Sequence, residues 1–419
     1  MIRILLYIFL ACLVSGYYFS FGLTFLPSAI NTKLVMAGMG VVVAGMDMLG
    51  NRLILLDKKF AMAISLAILF SLICFISTDV NQTSDYSYAS YIVSFSVWSF
   101  AAYFVCAMIK WGHGYIDLKL LVKYLALVSV AQCALALIID NVPVVASLVN
   151  QYIDQGQDFL IEVDRLYGIG ASLDNAGVRF SIVLVLLSAV VAEKVYDDGL
   201  TSDVIYLTLA FLIITVIGNM ISRTTLVGSA MGLTYMFLVR GPFKITINSN
   251  SVRFWLLMFL VIGLITLITI YFYNTNPVFK SQLRFAFEAF FNFFEKGEFR
   301  TDSTDKLNKT MWVWPETGDI RSWLIGKGLF DNWVFGTDIG YCRFVLYSGI
   351  IGLSVFAVFF IYNGLVFTTI FTEYRFVFIL FIALTFIIWV KVSTDIYIIY
   401  ALLYAVSFLE NKRIKEQHS

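Results

Sequence analysis

Histidine is almost missing from this sequence. Of its 419 residues only His113 and His418 are histidine, the first in a short hydrophilic turn and the second in the tail. That leaves no histidine for a catalytic triad or a histidine metal site anywhere else in the chain. Charge is also scarce. Asp, Glu, Lys and Arg make up 14% of residues and the net charge is +1, so no global field points to nucleic acid as a partner. The five cysteines (Cys12, Cys74, Cys106, Cys133 and Cys342) lie within or beside apolar runs. They have neither metal-ligand spacing nor paired external positions and read as small buried hydrophobes. No Gly-rich phosphate loop of the ATPase type is present, which argues against ATP hydrolysis. Ionisable residues deep in apolar runs are few, with Asp47 near one end of such a run. An ion- or proton-coupled transporter would carry more.

What the sequence has instead is apolar length. Hydrophobic residues make up 60% of the chain, and Phe alone contributes 39. Runs of about 18 or more apolar residues mark membrane-spanning helices. Such segments fall at 4–26, 31–49, 60–77, 90–109, 118–139, 178–193, 203–220, 224–239, 254–273, 341–369, 376–391 and 396–410. The fold expected is an all-α polytopic membrane protein with about twelve spans. The run after Arg3 reaches Phe25 without a small-x-small cleavage site and reads as a retained first helix. The chain divides into residues 1–273, with spans one to nine; a large polar loop at 274–340, between spans nine and ten; and residues 341–419, with the last three spans and a tail.

Lys and Arg in the short loops set the orientation. One set of loops carries fifteen basic residues: Arg3, Arg52, Lys58, Lys59, Lys110, Lys119, Lys123, Lys194, Arg240, Lys244, Arg253, Arg375, Lys412, Arg413 and Lys415. The other set, outside the long loop, carries six: Lys33, Arg165, Arg179, Arg223, Arg343 and Lys391. The richer set is expected on the cytoplasmic side with both termini. The long loop and a second loop at 140–177 are expected on the outer side.

A long loop inside a compact membrane protein is usually functional. Leu283, Phe287, Phe290, Phe291 and Phe294 recur at helical spacing, opposite Arg284, Glu288, Asn292 and Glu295. This predicts one amphipathic helix in the outer interface, ended by Gly297. Thr337 or Asp338 is placed to cap the next span. The basic residues expected outside include Arg165, Arg179, Arg223, Arg284, Arg300, Arg321 and Arg343. Guanidinium forks suit phosphate, and Arg223 and Arg343 sit at helix mouths. Asp338, Asp174, Asp302, Asp319 and Asp331 are candidate general bases, with Asp338 equally readable as a helix cap. Trp312, Trp314, Trp323, Trp333 and Tyr341 offer flat faces for sugar rings, or form an interfacial belt.

Four stretches resemble the O-antigen and capsular polysaccharide polymerases of the Wzy type, relatives of the O-antigen ligases. They are Arg165-Leu-Tyr-Gly168 with Asp174-Asn175-Ala-Gly177; Ser222-Arg223; Phe287-Glu288 through Gly297 to Leu307; and Gly326-Lys-Gly328 followed by Thr337-Asp338-Ile-Gly340-Tyr341-Cys-Arg343, Gly349 and Gly352. The likeness covers about residues 160–355 and the overall topology. It implies an inner-membrane enzyme that moves a glycan from undecaprenyl diphosphate onto a second lipid-linked repeat unit, extending O-antigen or capsule. A flippase and a chain-length regulator of the same pathway are the implied partners, and no cofactor or metal is implied. Asp338, Arg343 and Arg223 become the candidate catalytic residues. Arg165, Arg179, Asn175, Arg284, Arg300, Arg321 and Tyr341 become the candidate substrate-binding residues. The ligases carry a histidine in the large outer loop and this chain has none there, which favours the polymerases. A transporter of lipid-linked sugars is the other class; it has less use for so large an outer loop.

Overall fold

The computed structural model describes residues 2–51, 57–156, 159–160, 165–239, 249–330 and 334–417. Asp331 and Trp333 lie outside the described residues, as do Arg52, Arg240 and Lys244. In chain order the helices are α1 (Ile2–Tyr18), α2 (Thr32–Asn51), α3 (Lys58–Val80), α4 (Tyr91–His113), α5 (Leu118–Asn141), α6 (Pro143–Tyr152), α7 (Leu173–Asp198), α8 (Ser202–Ile221), α9 (Thr225–Val239), α10 (Ser249–Thr275), α11 (Pro277–Ala286), α12 (Glu288–Lys296), α13 (Asp302–Thr310), α14 (Ile320–Ile325), α15 (Gly340–Ile370), α16 (Arg375–Ile388) and α17 (Tyr397–Gln417). Among the described residues, strand structure is limited to Gly22–Leu23 paired antiparallel with Ile153–Asp154. Local chemistry sets several helix ends. Asp57 accepts from Lys59 N–H at the start of α3, the Thr201 hydroxyl accepts from Val204 N–H at the start of α8, and Gly114 ends α4 in the left-handed region.

Among the described residues eight helices are long and apolar enough to cross a membrane: α2, α3, α4, α5, α7, α8, α10 and α15. The chain is therefore a membrane-embedded, all-α protein. The remaining apolar segments of the sequence form the shorter helices α1, α9 and α16 and the apolar part of α17. Where the sequence reads as one span to Phe25, α1 stops at Tyr18, because Gly22 and Leu23 pair with the strand at 153–154. Lipid-facing character is plain in α10. Only 17% of its apolar window is buried, and Leu256, Phe259, Leu260 and Leu267 are each more than 60% exposed. Cys74, Cys106, Cys133 and Cys342 are buried as expected; Cys12 is exposed on α1.

The chain forms two compact units, one of residues 1–31 and 118–301, the other of residues 32–117 and 302–419. Their boundary falls inside the long loop, so α11 and α12 belong to the first unit and α13 and α14 to the second. In the first unit α7 is the central helix, with 89% of its apolar window buried. It meets α9 through small polar residues, as spanning helices do when backbones approach closely. The Ser181 hydroxyl donates to Thr224 O at 2.9 Å and accepts from Gly228 N–H at 3.3 Å. The loop at 140–177 has its own small core of Ile139, Val149, Leu160 and Tyr167.

The second unit is built on stacked aromatics. Phe356 lies parallel to Phe70 at 4.2 Å and to Trp389 at 5.4 Å, and meets Tyr91 edge-on at 5.1 Å. Gly349 breaks α15 with φ +68°, and a Cβ there would stand 2.1 Å from Leu324 O. The break frees the carbonyls of Leu346 and Tyr347, which accept from Lys327 N–H at 2.6 Å and Gly328 N–H at 3.0 Å. Ser77 Oγ also donates to Tyr347 O at 2.6 Å. The glycines quoted from the sequence thus seat the end of the long loop against the kinked helix.

Candidate functional site

In the first unit the chemistry gathers at one helical end, around the turn between α8 and α9. Ser222 and Thr224 hydroxyls both donate to Asp174 Oδ1, at 3.1 and 2.9 Å, so Asp174 ties the start of α7 to this turn. A Cβ on Gly177 would come within 2.5 Å of Ser222 Oγ, which explains a glycine one turn into α7. Between these anchors Arg223 projects onto the loop helices. Its Nε donates to Phe285 O at 3.0 Å and its Nη2 pairs with Glu288 at 2.6 Å. Its guanidinium lies 4.0 Å from the Phe285 ring centre. Arg165 reaches the same ring, at 5.0 Å. Two guanidiniums distant in sequence thus share one aromatic residue. Arg165 also lines a half-open cavity of about 170 Å³ with Asp140, Leu160 and Tyr167. Gln282 Nε2 donates to Asp140 at 3.0 Å.

This contact also explains a departure from the sequence reading. The single amphipathic helix expected across Leu283–Phe294 is two helices, α11 and α12, broken at Phe287 (φ −116°, ψ 27°). Asn219 Nδ2 takes the carbonyl of Ala286 at 2.9 Å, and Arg223 takes that of Phe285. In a continuous helix those oxygens would accept from residues four positions on. Phe290 N–H instead bonds Phe287 O at 2.9 Å. The predicted stripe is split as a result: Leu283 is buried, while Phe290 and Phe294 are exposed. Gly297 ends α12 in the left-handed region, as expected.

The other predicted residues of this unit are spread around the turn. Arg179 donates to Gly170 O at 3.3 Å and lies 5.9 Å from the Phe19 ring centre, bracing the loop against the end of α1. Asn175 is exposed. Arg284 binds Glu295 at 2.7 Å and Tyr273 Oη at 3.1 Å. Those hydrogen bonds hold the guanidinium above its ordinary pKa and the Glu295 carboxyl below its own. Arg300 pairs with Glu298 at 3.2 Å on the surface. The opposite helical end carries lysines matched to acids: Lys119 with Glu193, and Lys123 and Lys194 with Asp203.

In the second unit Arg343, in the first turn of α15, lies 3.7 Å from the Phe330 ring centre and donates to Ser393 Oγ at 3.1 Å. Ser393 O accepts from Tyr88 Oη at 3.0 Å. Tyr341 is turned into the protein: its hydroxyl donates to Phe386 O at 2.9 Å and its ring meets Trp389 edge-on. Asp338 is half-buried just before α15. Neither it nor Thr337 caps that helix. Ile339 holds the N-cap position without a side-chain bond, and Thr337 Oγ1 accepts from Ile339 N–H at 3.2 Å while donating to Met311 O. Arg321 donates to Val80 O at 2.6 Å. Asp319 caps α14 through Ser322, which holds its carboxyl below the ordinary range. Trp312, Trp314 and Trp323 form a ladder with successive ring centres 5.9 Å apart, and the first two are at least 40% exposed.

Phe285, Glu288, Asp140 and Ser393 complete these clusters, and none was chosen from the sequence as a site residue. Only Glu288 carried a signal, its place on the polar face of the predicted helix. Asp395 is the most consequential omission. It lies in the short break between α16 and α17 and accepts from Tyr397 N–H at 2.8 Å. Among the described residues no three His, Cys, Asp or Glu side chains gather as a metal-binding group. No protein-family model matches the chain, and no curated protein or solved structure matches it.

Proposed function

We propose that this chain is a bacterial inner-membrane enzyme that polymerises undecaprenyl diphosphate-linked oligosaccharide repeat units into O-antigen or capsular polysaccharide. The reading rests most on Arg165 and Arg223 meeting at Phe285, with Arg165 lining an adjacent cavity. Transfer from a lipid diphosphate releases a leaving group that gains one negative charge, and fixed guanidiniums stabilise that charge as the glycosyl bond breaks. The aromatic face and the Phe285 carbonyl hold Arg223 in position, so little reorganisation is needed when charge develops. A carboxylate takes the proton of the acceptor hydroxyl; Asp338 is the residue chosen from the sequence. The exposed Trp312 and Trp314 rings suit the C–H faces of sugars. Exposed Phe290, Phe293 and Phe294 on α12 suit contact with the polyprenyl tail.

In this reading twelve helices span the membrane, both termini are cytoplasmic, and the Arg-bearing helical ends face the periplasm. A flippase supplies the substrates and a chain-length regulator sets the product. The test is a lipopolysaccharide gel from a strain lacking the gene. A polymerase defect leaves core bearing one repeat unit; core with none contradicts the proposal.

A further inference from the structure

The residue most clearly placed for chemistry in the second unit is Asp395. Four structural elements converge on it. Its own break carries Ser393, which is held by Arg343 and Tyr88. Tyr397 N–H, opening α17, donates to its carboxylate. Tyr91, opening α4, places a buried hydroxyl beside it that feels the carboxylate's charge. The charge of Lys33, near the start of α2, also acts on the carboxyl. Asp395 is itself half-buried. Burial raises its proton affinity above the ordinary carboxylate range, opposed by Tyr397 N–H, Lys33 and Tyr91. A general base works best when its proton affinity approaches the operating pH, and burial moves a carboxyl in that direction.

The geometry points to Asp395 as the proton acceptor of the glycosyl transfer. This rests on the polymerase reading and replaces Asp338 in the role of base. The acceptor hydroxyl oxygen bonds to the anomeric carbon as its proton passes to an Asp395 carboxylate oxygen. The bond from that carbon to the diphosphate breaks, and its electron pair leaves on the diphosphate oxygen. Asp395 then gives the proton to water.

The experiment is elongation of lipid-linked repeat units by the purified full chain across a pH series, for wild type, Asp395→Asn, Asp395→Glu and Asp338→Asn. A purely structural Asp395 predicts a mild Asn variant, because the amide oxygen still accepts from Tyr397 N–H. A general base predicts a loss of about 100-fold or more in Asp395→Asn. It also predicts that the decline of the wild-type rate toward acid pH vanishes from the residual activity, while Asp338→Asn keeps it. Asp395→Glu must shift that decline along the pH axis, which decides the matter if the Asn variant fails to fold. An Asp395→Asn rate within twofold of wild type, or a Glu variant with an unmoved decline, overturns the assignment alone. A wild-type chain that elongates nothing overturns the polymerase reading, and the base falls with it.

Discussion

Arg223 has two roles that can be separated by experiment. It pairs with Glu288 at 2.6 Å, the two side chains being 17% and 21% exposed, and it donates to Phe285 O. Removing one partner of a fully buried pair costs about 3–5 kcal/mol; the partial exposure here places Arg223→Ala near the lower end, about 3 kcal/mol. Glu288→Gln keeps an acceptor for the guanidinium and loses only the charge, for about 1–2 kcal/mol. If Arg223 only braces the loop helices, activity follows stability in both variants. If it also binds the diphosphate, Arg223→Ala loses a further 100- to 1000-fold in rate, while Glu288→Gln, which frees the guanidinium, does not. Arg223→Lys keeps the charge without the fork and recovers only part of the rate. The assays are thermal melting in detergent and repeat-unit elongation at matched protein amount. Near-normal elongation by Arg223→Lys, or parallel losses in Arg223→Ala and Glu288→Gln, would refute the clamp.

Gly349→Ala should lower the melting temperature, since the left-handed backbone alone costs about 1–3 kcal/mol and the added Cβ meets Leu324 O; an unchanged melt would mean that the kink does not need glycine. Asp319 has a depressed pKa in the fold, so the stability it lends α14 is present above the unfolded carboxylate value of about 3.9 and is lost as pH falls through the lower folded value. Protection of the amides of residues 320–325, taken relative to the intrinsic exchange rate at each pH, should therefore fall in acid and in Asp319→Ala at neutral pH; equal protection in that variant contradicts the cap. Elongation should persist in excess chelator, and loss that a divalent ion restores would show a metal requirement.

The spanning helices were legible because apolar length is a local property. Gly297 ends a helix where the pattern indicates, for the same reason. The break at Phe287 was not legible: its cause lies about 65 residues upstream, where Asn219 and Arg223 take two helical carbonyls. Arg165 and Arg223 were each visible as outer arginines, yet nothing in their spacing places both on Phe285. Tyr341 was legible as an aromatic residue near a helix mouth, whereas the bond from its hydroxyl to Phe386 O was not. Asp395 was not legible, because burial cannot be read from a single charged residue. The glycines at 326, 328 and 349 were recognisable as a motif, and only the structure gives the reason, a loop laid against freed helix carbonyls.

The central claim is tested most directly with the purified chain in lipid vesicles and a single defined substrate, an undecaprenyl diphosphate-linked repeat unit. The products are resolved by size and the released lipid diphosphate is measured. The claim predicts a ladder of lipid-linked products differing by one repeat unit, with one undecaprenyl diphosphate released per bond formed. Substrate that stays at one unit in length, including substrate merely moved across the bilayer, would contradict it.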